Sequence, residues 1–424
     1  MRANRFDQRA RDRFSAYAAN EAFYNGEPAA QLTILSSAKR DEVRAVFNYA
    51  RDILNKHAST TIAGLTSTFV PDPGSPDSSA ALAQSLLDQA LRNSADFTST
   101  FTAALAGSIL GDAAFYVTHD SGDVFYQPLH PGDIDVLHWS PSGQPARLMV
   151  QHDDRIETWD AESVTIESHG NASADSDNTT ATYANPYGLI PVVIWPNWPR
   201  IGSRWGDSTL EHIKAAARLL NERLDLLMWL VRVQGNPPIK ALGVDKAQLR
   251  TDPGELWIGP ADAQIDLVKL LDAETAGIHR QTIQLLLTIV KELSNTPDIA
   301  YGIGNTQLSG RALEMAYMPM IQAAEIRRSF LADAIRRRNR IILRMSEVLH
   351  GLDLRATGYD TAVTFAPVVP ADRFEARTQD RQDVTLGALS RQTYITRHSA
   401  PDDPAQESAR IHAETVQARS ITNP

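Results

Sequence analysis

Leu308–His350 reads LSGRALEMAYMPMIQAAEIRRSFLADAIRRRNRIILRMSEVLH, and this stretch decides the fold of the chain. Its apolar residues recur at helical spacing and predict one long helix. The apolar positions are Leu313, Met320, Ala324, Leu331, Ile335, Ile342, Met345 and Leu349. At a rise of 1.5 Å per residue, such a helix is about 60 Å long. Pro319 predicts a kink near its first third, because proline has no amide hydrogen and crowds the carbonyl four residues back. A rod of this length is typical of a protein that reaches across an assembly.

Two shorter helices with apolar seams precede the long one. In Asp207–Gln234 the apolar residues step alternately by four and three, which is the spacing of a helix that packs along a partner helix. These residues are Ile213, Ala217, Leu220, Leu224, Leu227 and Val231. Asp272–Leu293 carries a similar pattern, and the turn-rich Gly243–Asp262 between the helices predicts a protruding β module. The Gly, Asn, Thr and Pro residues of Ser294–Leu308 predict a loop before the long helix.

The rest of the chain combines helices with a β subdomain. Short β-branched or aromatic runs between 113 and 167, divided by turn residues, predict antiparallel strands. The polar Gly170–Thr182 predicts a loop, and Leu189–Trp195 predicts a buried strand. Further helical patterns cover Met1–Glu27, Ser37–His57, Ala80–Gly107, Arg373–Gly387 and Pro404–Arg419, with a strand at Thr361–Pro367. The expected fold class is therefore α+β, mainly helical.

The composition allows a large core and excludes several kinds of site. The chain has 424 residues, of which 43% are hydrophobic, enough for two or three domains. It contains no cysteine, which excludes disulfides, thiolate metal sites and cysteine nucleophiles. No run of eighteen apolar residues occurs, so no membrane span is expected. The charged start, MRANRFDQRARDRF, is not typical of a signal peptide, and a cytoplasmic setting is expected.

Charge is unevenly spread along this acidic chain, whose net charge is −10. Between Ala58 and Asn185 there are seventeen acidic residues and three basic ones, whereas Ser309–His350 has eight arginines and four acids. An acidic protein does not hold DNA by neutralising phosphates, although like-charged walls can surround DNA without gripping it. The alternative is that the acids serve solubility.

The basic concentration of the long helix forms a ridge. Arg336, Arg340 and Arg344 lie four residues apart and therefore share one helix face. This ridge is either a solvated or acid-paired face, or a contact with an acidic neighbouring subunit or with DNA.

The sequence lacks the motifs of a catalytic or cofactor site. It has no GxxxxGK[ST], HExxH or GxSxG pattern, and its histidines are not at ligand spacing. Tyr301-Gly-Ile-Gly-Asn305 contains a GxG, but no predicted strand precedes it. The pairs Asp133/Asp135 and Asp153/Asp154 are interpreted as turn and surface carboxylates. We therefore predict no catalytic residue, no metal site and no cofactor.

Several short motifs, in order along the chain, resemble the portal proteins of tailed double-stranded DNA bacteriophages, in particular those of siphophages. The long helix begins with Ser309-Gly-Arg-Ala-Leu-Glu314, which is similar to the Ser-Gly-x-Ala-Leu start of the family's wing helix. The other motifs are Arg13-x-x-x-Tyr17 with Phe23-Tyr24-x-Gly26, Asn185-Pro-Tyr-Gly-Leu-Ile-Pro-Val-Val193 with Asn197, Gly206–Leu227, and Leu389-Ser-Arg-Gln-Thr393 with Asp402, Asp403, Glu407, Arg410 and Ile411. Leu389 stands where the family pattern has Ile, and Pro319 comes early in the long helix.

The resemblance implies a portal-type fold with wing, stem, clip and crown regions that assembles as a ring. The implied regions are a wing at 1–200, a first stem helix at 201–238, a clip at 239–271, a second stem helix at 272–293, a tunnel loop at 294–308, the long wing helix and a returning strand at 309–370, and a crown with the C-terminal tail at 371–424. The tunnel loop offers channel-facing Asn295, Thr296, Asn305, Thr306 and Gln307. In the clip, Trp257 and Glu255 are the expected partner contacts.

The implied function is structural. A ring of twelve copies would sit at one capsid vertex of the virion, after assembly in the host cytoplasm, and would form the channel for packaging and ejection of double-stranded DNA. Its implied partners are the terminase large subunit, head-completion or adaptor proteins, and capsid and scaffolding proteins. Two alternatives remain from the residues alone: another head–tail connector or capsid protein, and a phage-encoded hydrolase.

Overall fold

Helices and antiparallel sheets both contribute to the structure, a computed structural model that describes residues 8–32, 46–168, 179–235, 239–242, 264–267, 272–303, 310–368, 373–398, 406–407 and 409–412. The helices are α1 (Gln8–Tyr24), α2 (Pro28–Gln31), α3 (Tyr49–Ile62), α4 (Asp77–Asn93), α5 (Asp96–Leu110), α6 (Thr209–Gly235), α7 (Ala273–Leu293), α8 (Gly310–His350), α9 (Arg373–Thr385) and α10 (Arg391–His398). The strands are β1 (Thr66–Val70), β2 (Asp112–Asp120), β3 (Asp123–Leu129), β4 (Ile134–Trp139), β5 (Pro145–Gln151), β6 (Arg155–Asp160), β7 (Ser163–Ser168), β8 (Thr179–Ala184), β9 (Val192–Pro196), β10 (Ile239–Leu242), β11 (Gln264–Leu267) and β12 (Asp360–Thr364). This mixture confirms the predicted α+β class.

The chain divides into two compact units. The first comprises Met1–Asp298 and Pro319–Phe365, and the second comprises Ile299–Met318 and Ala366–Pro424. The division falls inside α8 at Pro319, through which the helix is continuous. In the second unit, α9 packs against α10, and Arg397 pairs with Asp380 at 3.3 Å. No helix in the described ranges is both long and apolar enough to cross a membrane.

The first unit contains two sheets that share a core. Strands β4 to β8 form a five-stranded antiparallel meander, and β3, β2 and β9 form a three-stranded sheet with β2 in its centre. Alternate residues of β2 point to opposite faces, as in any pleated strand. Ala114 and Tyr116 pack with the meander, whereas Phe115 and Val117 pack with the helices. This double burial explains why β2 reads as a continuous apolar run.

The long helix α8 packs in a second cluster, on the other face of the three-stranded sheet. Leu331, Ile335, Ile342 and Met345 are each at most 2% exposed and belong to the same cluster as the inner face of the three-stranded sheet. The strand after α8, β12, pairs with β1 in antiparallel register. The returning strand predicted near Thr361 is therefore confirmed.

One predicted helical stretch forms two helices in the structure. The helical pattern of Ala80–Gly107 is confirmed as two helices, α4 and α5, which are separated at Ser94 and Ala95, and Ala95 has a left-handed φ of 48°. The Ser94 hydroxyl accepts a bond from the Tyr126 backbone amide at 2.8 Å, and the Tyr126 hydroxyl donates to the Asp96 carboxylate at 2.5 Å. The contact with β3 replaces a helical turn, which periodicity along the chain cannot predict.

Two other predictions differ from the structure at their edges. The predicted loop Gly170–Thr182 ends in β8, which pairs with β7 in register Thr165↔Thr182. The remainder of that loop lies outside the described residues. In the C-terminal region, α10 forms where no helix is predicted, and most of the helix predicted at Pro404–Arg419 also lies outside the described residues.

Candidate functional site

Buried polar contacts connect the segment before α6 to α1 and β2 within the first unit. The carboxylate of Asp112 accepts bonds from the Tyr17 hydroxyl at 2.5 Å and from the Gly206 amide at 2.7 Å. Burial raises the pKa of Asp112 to about 6. A side chain at Gly206 would not fit, because its Cβ would lie 2.3 Å from the Gly111 carbonyl oxygen. The Ser208 hydroxyl oxygen then accepts a hydrogen bond from the backbone amide of Leu210, in the first turn of α6.

The two halves of α6 have different surroundings. In the first half, Ile213, Ala217 and Leu220 are each at most 3% exposed, so the predicted seam is buried within the chain itself. From Glu222 to Arg232 no residue is buried. The apolar residues of this second half are Leu224, Leu226, Leu227, Met228, Trp229, Leu230 and Val231.

The partner helix α7 shows the same lack of burial. It packs along α6, yet no residue between Thr275 and Ile289 is buried. Ile278 is 58% exposed and Leu285 is 60% exposed. Apolar area of this extent on a helix pair is typical of a protein–protein contact surface. We name the surface formed by 222–232 of α6 and 275–289 of α7 the helix-pair surface.

The segment after α7 is partly buried, and its buried part includes one predicted channel residue. Thr296 is 1% exposed, and its hydroxyl oxygen lies 3.0 Å from His57 Nε2 and 3.0 Å from the Ser294 hydroxyl. In the single copy the Thr296 hydroxyl therefore serves internal bonds, and its place in the channel set stays a prediction. Asn295 is exposed and has a left-handed φ of 55°, a conformation that asparagine tolerates.

The arginines of α8 fall into three different environments. Arg336 and Arg340 are exposed. Arg344 pairs with Glu347 and also donates to the Tyr187 carbonyl at 3.1 Å, so the third member of the predicted ridge has internal partners. Arg338, which lies in the same run of sequence, is 1% exposed.

The family of the chain follows from comparison of its whole sequence with known families. The family described as "Phage portal protein, SPP1 Gp6-like" matches residues 5–420. The chain belongs to this family of phage portal proteins. The predicted resemblance is confirmed, and the family is a structural one rather than an enzyme family.

A solved structure with a TM-score above 0.5 shares the fold of this portal-family chain at low sequence identity. A chain of "Neck of empty GTA particle computed with C6 symmetry" is 11% identical with a TM-score of 0.52, over 92% of this chain and 94% of that one. A chain of "Virion of native gene transfer agent (GTA) particle" is 12% identical with a TM-score of 0.47, over 91% and 94% of the two chains. No curated protein matches the sequence.

Several predicted site residues of the portal-family chain lie outside the described residues. They are Trp257 and Glu255 of the predicted clip and Asn305, Thr306 and Gln307 of the predicted tunnel loop. The strands β10 and β11 pair in register Ile239↔Leu267 at the base of that predicted clip. Within the described ranges, no three His, Asp or Glu side chains are grouped as a metal ion would require.

Three buried arginines, Arg327, Arg328 and Arg338, were missed by the sequence analysis. Arg327 is 6% exposed and Arg338 is 1% exposed. A signal for Arg327 and Arg338 was present, because both occupy the apolar stripe of α8. Arg327 lies between Ala324 and Leu331 at steps of three and four, and Arg338 lies between Ile335 and Ile342 at the same steps. A charged residue on the apolar stripe of a helix indicates a buried charge with partners elsewhere in the chain. A count of the arginines as one basic cluster does not show this.

The buried His57 predicts an acid-sensitive contribution to stability. Its burial, and secondarily the Arg327 charge, lower the pKa of His57 to about 3. Unfolded His57 has a pKa of about 6.5, so below pH 6.5 the unfolded state binds a proton that the folded state does not. We expect the free energy of unfolding to fall as the pH is lowered from 6.5 towards 3, at up to about 1.4 kcal/mol per pH unit.

The measurement is urea unfolding at pH 6.5, 6.0, 5.5 and 5.0 for the parent and for His57→Gln at one protein concentration. The difference between the two profiles isolates His57, since all other titrating groups are common to both. Parallel profiles for parent and variant would contradict the prediction.

Proposed function

We propose that copies of this portal protein assemble into a closed ring at one capsid vertex, and that double-stranded DNA passes through the central channel during packaging and ejection. The carrying observation is the helix-pair surface, whose apolar residues are not buried in a single copy. Burying apolar area contributes about 25 cal/mol per Å², so a neighbouring copy on this surface is strongly favoured over water. Repeated head-to-tail contacts that close by rotation make a ring.

The charges of the first unit support contacts between neighbouring copies in such a ring. Arg336 and Arg340 are exposed on α8, while the stretch between Ala58 and Asn185 carries the acidic excess. Exposed acids of that stretch include Asp120, Asp123, Asp154 and Glu162. A head-to-tail interface joins two different surfaces, which allows a basic one to meet an acidic one. We propose that Arg336 and Arg340 contact the acidic surface of the next copy rather than DNA.

The proposed partners follow from the implied division of labour in packaging. The chain has no phosphate loop, so an ATP-driven terminase large subunit would supply the force and dock on the clip, with Trp257 and Glu255 as contacts. Head-completion or adaptor proteins would replace it, and capsid and scaffolding proteins would surround the ring. We propose twelve copies, in the host cytoplasm during assembly and then in the virion.

The test of the ring is direct. We expect the purified protein to sediment with the mass of a closed oligomer and to show, in end-on negative-stain images, a ring with a central hole. The mass of a single copy at micromolar concentration would overturn the ring. ATP hydrolysis by the purified ring would overturn its passive role.

The proposed channel segment makes a salt-dependent prediction. Asn295, Asn305, Thr306 and Gln307 are polar and uncharged, and such groups can touch a moving phosphate backbone without trapping it. We expect the variant Asn305→Lys/Gln307→Lys to form a basic collar that slows DNA passage at low salt, with partial recovery as salt rises. The measurement is the packaging rate against salt concentration. The matched control is Asn305→Ser/Gln307→Ser, which adds no charge. Equal rates for the lysine variant and the parent at every salt concentration would show that this segment does not meet DNA.

A further inference from the structure

We propose that Arg327 is a positioning residue that ties the end of α7, and with it the start of the channel segment 294–308, to α8 through His57. The role in DNA passage rests on the proposed function, whereas the tie itself rests on contacts within one copy. The residues of the tie are Arg327, His57, Thr296 and Ser294, and all belong to the first unit.

Arg327 is a buried cation whose partners are neutral. Among the described residues, no carboxylate forms an ion pair with it, and burial lowers the pKa of its guanidinium to about 10. It donates to His57 Nδ1 at 2.8 Å and to the Thr209 hydroxyl oxygen at 3.3 Å, and it lies 5.6 Å from the centre of the Trp198 ring. A buried charge without an opposite charge is costly, so hydrophobic packing alone would have favoured an apolar residue on this stripe.

The direction of each hydrogen bond in the tie is determined by chemistry. A guanidinium can only donate, so His57 Nδ1 must accept from Arg327 and carries no proton. The neutral ring therefore has its proton on Nε2, which donates to the Thr296 hydroxyl oxygen at 3.0 Å. The Thr296 hydroxyl can then donate its own proton to the Ser294 carbonyl oxygen, 3.4 Å away. The three hydrogen bonds thus point in one direction, with Arg327 of α8 donating to His57 of α3, His57 donating to Thr296, and Thr296 donating to Ser294 at the end of α7.

The end of α7 is buried in the first unit, where Val290, Ser294 and Thr296 are each 1% exposed. The backbone amides of Ser294, Asn295 and Thr296 bond to carbonyls of the last turn of α7 at 2.9 to 3.1 Å. These bonds hold the three residues to α7 but not to the rest of the first unit. Most of α7 is unburied, so its buried end, together with the tie to His57, relates the start of the channel segment to the core.

The next residue along α8 provides a matched control. Arg328 is also buried and donates to the carbonyls of Thr60 and Thr61 at 2.8 and 3.1 Å, at the end of α3. It therefore stabilises α3 in the way that a cation stabilises a helix C-terminus. Arg327→Met and Arg328→Met remove the same group from the same helix. Arg327→Met removes the hydrogen bond to His57, whereas Arg328→Met removes the hydrogen bonds to the end of α3.

The experiment is hydrogen exchange of the assembled protein, followed by mass spectrometry of peptides that cover 290–298 and 57–65. We expect Arg327→Met to speed exchange at Ser294–Asp298 by at least about tenfold. We expect Arg328→Met to speed exchange at Thr60–Ala63 and to leave Ser294–Asp298 within about twofold of the parent. Unchanged exchange at Ser294–Asp298 in Arg327→Met, or an equal increase there in Arg328→Met, would overturn the proposal.

A second, more conservative variant tests the tie without requiring that Arg327→Met folds. Thr296→Val preserves shape and removes the hydroxyl that receives the His57 bond, and we expect it to speed exchange at Ser294–Asp298 in the same way. Unchanged exchange in that variant would also overturn the proposal. The sedimentation mass of each variant is measured in parallel, so a failure of ring formation is distinguishable from a failure of the tie.

Discussion

Glutamate at two positions of the helix-pair surface is expected to convert the proposed ring into single copies. Met228 on α6 and Leu285 on α7 are 50% and 60% exposed in one copy, so substitution costs little in the isolated chain. In the ring, each contact would bury carboxylates among apolar side chains, which costs several kcal/mol per unpaired charge. Because every interface of a closed ring carries the same change, the cost is repeated at each contact.

Sedimentation measures this outcome, with circular dichroism to verify that the helices persist. The control Met228→Leu/Leu285→Met keeps both positions apolar at similar volume and should retain the mass of the ring. If Met228→Glu/Leu285→Glu sediments with the mass of the parent ring, the helix-pair surface is not the contact between copies.

The second large effect is expected at Arg338, whose loss should destabilise the protein by about 3 kcal/mol or more. Its guanidinium donates to the Asp96 carboxylate at 3.1 Å and to the Asn339 side-chain oxygen at 3.0 and 3.1 Å. It also lies 4.1 Å from the centre of the Tyr126 ring and 5.3 Å from that of Phe115. Arg338→Met fills part of the volume but leaves these acceptors without a charged donor, and it removes both cation–π contacts.

Thermal unfolding at one fixed protein concentration tests the prediction, since the stability of an oligomer depends on concentration. The matched control is Arg336→Met, two residues away on the exposed side of α8, which should change the unfolding free energy by less than about 0.5 kcal/mol. Equal shifts of the midpoint in the two variants would contradict the structural role of Arg338.

The pattern of the sequence was sufficient for the types of the main elements and for the family. Helical spacing predicted α6, α7 and α8, and turn residues between β-branched runs predicted the strands β2 to β7. The ordered short motifs predicted the portal family, which the match over residues 5–420 confirms. These signals are local or follow the order of the chain, so they can be read without knowing which distant segments meet.

The roles of individual polar residues could not be predicted in that way. Arg338, within a run of arginines, is buried, and Thr296, in a polar stretch, is used for an internal bond to His57. The interruption between α4 and α5 depends on Tyr126, some thirty residues further along the chain. Each outcome depends on an atom from a distant segment that supplies or receives one hydrogen bond.

The sequence by itself determined the periodicities, and hence the long α8, the seams of α6 and α7 and the strands, because burial on one face requires apolar residues at fixed steps. Only the tertiary structure decided which part of a seam is buried. Ile213 and Val231 belong to the same seam of α6, yet the first is 0% exposed and the second 52% exposed. The physical reason is that the spacing of apolar residues indicates which side chains form a face for packing. The tertiary structure shows which of those side chains are buried within the same copy.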